Sequence, residues 1–188
     1  MNYLNKDLSQ ITSEDIVKFC EQKYPEGFNL DYKKEASAKG IAKHFAAFSN
    51  SRGGDIIIGV EEDPNTGLPI KWEGVKNSGK IIESINQSAS MVKPLPSYDY
   101  RVTDTLSNGN VFIIIRILEG DATPYYVYND NNIYIRSHNI TKLIDLAAPD
   151  YVKLLFDKTR KAEMARKNST SFVRKSFAKA KEMSEKER

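Results

Sequence analysis

Residues 38–60 constrain the fold of this chain more than any other stretch. Ile41, Ala42, Phe45, Ala46, Phe48 and Ser49 recur at helical spacing and predict a helix from about Ala38 to Asn50. Ser51-Arg52-Gly53-Gly54 stops it. Asp55 to Val60, in essence Ile-Ile-Ile-Gly-Val, then reads as a short buried strand. A helix running through two glycines straight into a buried strand requires a packed core. The chain can supply one, since 40% of its 188 residues are hydrophobic, which excludes wholesale disorder.

The flanking elements follow from the same periodicities. Thr12 or Ser13, followed by Glu14 and Asp15, caps a helix through about Gln22, with Ile16, Phe19 and Cys20 on one face. Phe28, Leu30 and Tyr32 alternate with Asn29, Asp31, Lys33 and Glu35 as in a half-buried strand, one face inward and the other charged. Phe28 and Tyr32 are expected in the core, His44 at its boundary. Gly79 to Met91 reads as a helix, and Tyr98 to Val102 pairs with Val111 to Leu118 around an Asn-Gly turn. A second hairpin joins Tyr125–Tyr128 to Ile133–Arg136, and a helix starts at Pro149. The expected class is α+β: a mixed, largely antiparallel sheet with flanking helices.

Charge divides the chain. Residues 1–159 carry 18 basic and 21 acidic side chains; residues 160–188 carry 10 and 4. The expected organisation is therefore a domain over 1–159 and a basic helical or frayed tail over 160–188. Such a tail can grip phosphates, or serve as a solvated helix face or linker. One cysteine and two histidines make a disulfide or a zinc centre improbable. Without an apolar run of about 20 residues or a secretory stretch after Met1, no membrane association is expected and a cytoplasmic setting is.

Asp31 and Lys33 lie on the same strand face, about 7 Å apart between Cα atoms. Carboxylates that converge beside a lysine can hold Mg²⁺ or Mn²⁺, activate water and steady a scissile phosphate. The pair taken alone fits a strand's wet face equally well. Gly53-Gly54 permits a helix stop or a phosphate contact, and its surroundings lack the lysine and spacing of a P-loop. Arg136 can meet a phosphate bidentately or make a surface ion pair.

Several separated motifs occur together: Glu26-x-x-x-Leu30-Asp31-Tyr32-Lys33, Phe45 to Gly54 running into Ile56 to Glu62, Lys71-Trp72-Glu73, and Tyr134-Ile135-Arg136-Ser137-His138-Asn139. In this order, over roughly residues 20–145, the chain resembles the AlbA-like nucleic-acid-binding domain of the Schlafen family, with His138 where glycine is more usual. The resemblance places the family's catalytic and metal-holding acids on Glu26, Asp31 and Glu62, with Lys33 beside them. The second acid is commonly Glu and the third commonly Asp in the ribonuclease members, so this chain swaps both. Nucleic-acid contacts would come from Lys33, Arg52, Arg136 and His138. The resemblance implies a metal-dependent endoribonuclease on structured RNA such as tRNA, using Mg²⁺ or Mn²⁺. It equally admits a non-catalytic DNA- or RNA-binding regulator and, ranked last, an ATP-binding domain. RNA is the expected partner before DNA, and a homodimer would complete a cleft that family members build from two such lobes.

Overall fold

A computed structural model describes Tyr3, residues 6–144 and residues 149–186. In chain order the elements are α1 (Ser13–Glu21), β1 (Leu30–Lys33), α2 (Ala38–Asn50), β2 (Gly54–Ile58), β3 (Glu61–Glu62), β4 (Pro69–Lys71), β5 (Val75–Lys76) and α3 (Gly79–Ser90). There follow β6 (Val92–Lys93), β7 (Tyr98–Val102), β8 (Asn110–Val111), β9 (Ile113–Ile117), β10 (Tyr126–Val127), β11 (Asn132–Ser137), β12 (Ile140–Leu143) and α4 (Pro149–Lys186). The class is α+β, as the periodicities predict. The main sheet has the order β1-β2-β9-β7, a second sheet β12-β11-β10-β6. β1 and β2 run parallel, Asp31 beside Ile56; the other strand pairs are antiparallel.

The isoleucine run of β2 is buried because both faces of its sheet are covered. Ile56 and Ile58, with Ile113, Ile115 and Ile117 of β9, pack against Ile41, Phe45 and Phe48 of α2. Ile57 and Ile114 face the other way, joining Leu30 and Tyr32 of β1 in a layer with Ile16 and Phe19 of α1. Local chemistry fixes the helix starts. Thr12 and Asp15 form a reciprocal capping box on α1, and Ser37 accepts from Gly40 N at the start of α2.

At its other end α2 stops where Gly53 turns with φ +71°, and Gly53 N donates to Phe48 O at 3.0 Å. Asn50 then ties α2 to the second sheet. Its side-chain amide donates to Tyr125 O (2.7 Å) and Tyr134 O (2.9 Å), and its Oδ1 accepts from Tyr125 N (2.7 Å). One helix thus spans both sheets, with β11 and β12 held over the end of β1.

Three side chains depart from their expected burial. Phe28 is 51% exposed, because the Gly27 N to Leu30 O bond turns the chain ahead of β1 and leaves Phe28 outside it. Asp31, expected on a wet face, is 1% exposed, because α2 and β11 cover that face. His44, expected at a boundary, is buried; it lies three residues after Ile41 and four before Phe48, on the stripe that α2 buries. α4 runs on through residues 159 and 160. Leu155 is buried, Thr123 donates to Leu155 O, and Arg166 pairs with Asp121. No helix among the described residues is long and apolar enough to cross a membrane.

Candidate functional site

Parallel pairing of β1 with β2 brings Asp31 and Lys33 to the sheet end from which the chain continues, through Gly59, into β3 and Glu62. Gly59 N and Val60 N both donate to Lys33 O, at 2.8 and 3.2 Å, fixing that turn. Glu26 arrives from the other direction. Its N–H is held by Gly67 O at 2.9 Å, and its Oε1 accepts from Tyr32 N at 2.6 Å. These contacts bring Glu26, Asp31, Lys33 and Glu62 to the wall of one open pocket of about 390 Å³, with His44 and Lys43 on its α2 side.

Within the pocket the four groups are not equivalent. Lys33 Nζ lies 2.5 Å from Asp31 Oδ2 and 3.8 Å from Glu62 Oε1, and donates to Tyr32 O at 2.6 Å. The ammonium therefore bridges two of the acids. Asp31 Oδ1 accepts from Arg136 Nη1 at 2.8 Å. Burial would raise the Asp31 carboxyl, but the ammonium of Lys33 and the guanidinium of Arg136 outweigh it and hold the carboxyl below the ordinary range. Glu26 behaves oppositely: burial, its hydrogen bond with Glu62 and the charge of Asp31 push it up to about 9, so it keeps its proton at neutral pH. Glu62 Oε2 is buried without a conventional donor, and the proton held by Glu26 is the one available to bridge the two carboxyl groups.

Arg136 is directed inward. Its guanidinium donates to Asp31 Oδ1, Leu30 O (2.7 Å), Gly27 O (3.1 Å) and Thr141 Oγ1 (3.0 Å), and lies 5.0 Å over the Phe48 ring. Its side chain is fully buried, so it clamps β11 to β1 and orients Asp31. Thr141 Oγ1, which accepts from Arg136, also shares a hydrogen bond of 3.0 Å with His44 Nδ1. The other ring nitrogen, Nε2, is buried without a hydrogen-bond partner. Burial pushes His44 down to about 3; the charge of Asp31 opposes this, and Lys33, Lys43 and Arg136 add to it, so the ring is neutral.

The structure thus gathers Glu26, Asp31, Glu62 and Lys33, brings Arg136 to them through Asp31, and places Arg52 and His138 elsewhere. His138 sits at the β11–β12 turn with φ +56°, the conformation glycine adopts most readily, and its ring lies against Phe28 at 4.9 Å. Arg52 is exposed beyond the end of α2. Sequence reasoning missed His44 and Thr141 as members of the site. The spacing of His44 from Ile41 and Phe48 was a usable signal; Thr141 offered none.

Among the described residues, no three His, Cys, Asp or Glu side chains form a group arranged to hold a metal ion. Asp31 Oδ1 is held by Arg136, and its buried Oδ2 lies 2.5 Å from Lys33 Nζ as an ion pair without hydrogen-bond geometry. Glu26 and Glu62 remain, two carboxyl groups in contact with one buried unsatisfied oxygen between them. This is the number of protein carboxylates on which Mg²⁺ commonly sits, its other ligands being water and phosphate.

A search of curated proteins finds no match to the chain. Among solved structures, the DIP2311 protein from Corynebacterium diphtheriae is similar at 18% identity and a TM-score of 0.49, over 82% of this chain and 31% of that one. The chain therefore spans about a third of that protein's length. The family model described as Schlafen, AlbA_2 matches residues 26–145, the stretch that begins at Glu26 and contains β1, α2, both sheets and the pocket. On that match, the chain belongs to the Schlafen AlbA_2 family.

Proposed function

We propose that this domain binds nucleic acid and that its acidic pocket cleaves structured RNA such as tRNA with the help of a divalent cation. The observation that supports this most is the meeting of Glu26, Asp31, Lys33 and Glu62 on one open pocket, although Glu62 is 36 residues away from Glu26 in the sequence. Mg²⁺ or Mn²⁺ fits the Glu26–Glu62 pair, whose oxygens suit a hard cation and whose shared proton a cation would replace. Such an ion, when bound, polarises a phosphoryl oxygen and lowers the pKa of a bound water.

The chain's own residues supply the rest. Two of the three Lys33 donors are engaged by Asp31 and Tyr32 O, leaving the third, on the Glu62 side, for a phosphate oxygen. Asp31 holds that ammonium in place and is itself fixed by Arg136, so Lys33 is positioned before substrate arrives. Lys43, on the pocket wall, adds positive charge on the approach. A second copy is the partner that would complete the groove around this pocket.

The test is incubation of the purified chain with tRNA in Mn²⁺, in EDTA, and with Glu26→Ala or Asp31→Ala in place of the wild type. Cleavage that needs the cation and drops by roughly 100-fold or more in both variants supports the reading. Cleavage unaffected by either substitution removes it. One observation favours a second reading, a binding module without chemistry: Asp31 already has a cation on each oxygen. tRNA bound tightly by the wild type but left intact in Mn²⁺ would establish that reading instead.

A further inference from the structure

Beside the acidic pocket, and sharing Arg136 with it, lies a larger groove of about 660 Å³ between the end of α2 and the first turns of α4. Its walls combine exposed aromatic and aliphatic side chains with basic ones, and also carry Glu119 and Asp157. Phe28 is 51%, Tyr151 55% and Leu154 63% exposed. Arg52, Lys158 and Lys161 line the same groove. Tyr151, Leu154, Lys158 and Lys161 follow one another at intervals of three, four and three residues, so one face of α4 presents all four to the groove. The His138 ring packs against Phe28 at 4.9 Å, and about half of Phe28 remains exposed.

We propose that this groove seats unpaired nucleobases of the bound nucleic acid, stacked on Phe28 and Tyr151, with Arg52 and Lys161 taking the flanking phosphates. The proposal rests on the nucleic-acid reading above and gives it a strand path: bases in the groove, the phosphodiester beyond Arg136 in the acidic pocket. Charge complementarity selects this occupant. Lys158 is engaged by Glu119 at 2.6 Å and by Ser51 O at 3.2 Å, whereas Arg52 and Lys161 make no ion pair among the described residues. A purely apolar partner would leave those cations unmatched. An alternation of aromatic faces and cations is what a single strand requires, since every base offers a π-face and every linkage a charge.

Fluorescence anisotropy with a labelled single-stranded RNA and a blunt RNA duplex of equal length tests this on the full chain. Phe28→Ala and Tyr151→Ala should each weaken single-strand binding by roughly 5- to 150-fold while leaving the duplex unchanged, and Phe28→Tyr should retain wild-type affinity. Lys161→Glu should reduce the salt dependence of single-strand binding, a readout independent of the aromatic variants. Single-strand affinity unchanged in both alanine variants overturns the groove and leaves nucleic-acid binding standing, as does an equal loss on strand and duplex. Binding of neither RNA by the wild type overturns both.

Discussion

Asp31 and Arg136 lie 105 residues apart and meet at 2.8 Å in a place that water does not reach. Their value to the fold is conditional. A buried ion pair can be no better than an apolar pair of the same shape, but removing one partner leaves a buried charge unmatched. Arg136→Met should therefore cost about 3–5 kcal/mol, read as a fall in the urea midpoint; an unchanged midpoint would contradict the clamp. Glu26 gives the fold a pH dependence of known sign. Between about 4.5 and about 9 the unfolded chain has released this proton and the folded chain has kept it, so the stability it contributes at low pH is lost as pH rises through that window. Glu26→Gln stays neutral throughout, and should melt increasingly above the wild type as pH climbs from about 5 to about 8. A constant difference would contradict the raised value. The opposite limb belongs to His44, whose contribution is present above about 6.5 and lost as pH falls toward about 3. Motif order located the four pocket residues in the sequence, but their protonation was not legible there. Both the proton on Glu26 and the engagement of Asp31 depend on partners that only folding brings near.

At the scale of elements, legibility follows length and punctuation. α2 is found over the span that the sequence predicts, because a serine cap opens it, an apolar stripe fills it and a glycine pair closes it. Both hairpins are likewise where the turn residues place them, although β10 of the second has only two residues. β3, β5, β6 and β8 have two residues each, too few for any alternation to show, and β12 carries Ile-Thr-Lys-Leu at a sheet edge with no regular pattern. The missed burial of Asp31 has the same root: alternation reports one covered face, whereas β1 is covered on two. Gly59 sets the turn that delivers Glu62 to the pocket. Its φ is +100°, and a Cβ there would stand 2.6 Å from Gly74 Cα. Gly59→Ala should therefore destabilise the domain by at least about 1–3 kcal/mol, measured by thermal melting; a neutral effect would show that the turn is not under this constraint.

For the molecule as a whole, the positive excess lies in residues 160–188 while the pocket carries acids, so on the proposed reading affinity and chemistry would draw on different regions. A phosphate-gripping surface must release counterions. If about three phosphates are neutralised, RNA affinity should fall roughly 20- to 40-fold between about 50 and about 200 mM salt, and affinity independent of salt would contradict electrostatic binding. The composition of residues 160–188 left open a helix or a frayed arm, whereas α4 runs on to Lys186; the pairing of Arg166 with Asp121, which ties the helix to the domain beyond residue 159, had no signal in the sequence. The claim on which the functional account turns is that Glu26 and Glu62 form a cation site beside Lys33. Anomalous diffraction from crystals soaked in Mn²⁺ measures this directly. The account predicts a manganese peak in contact with both glutamates, with Asp31 still on Arg136, and a pocket without manganese would contradict it.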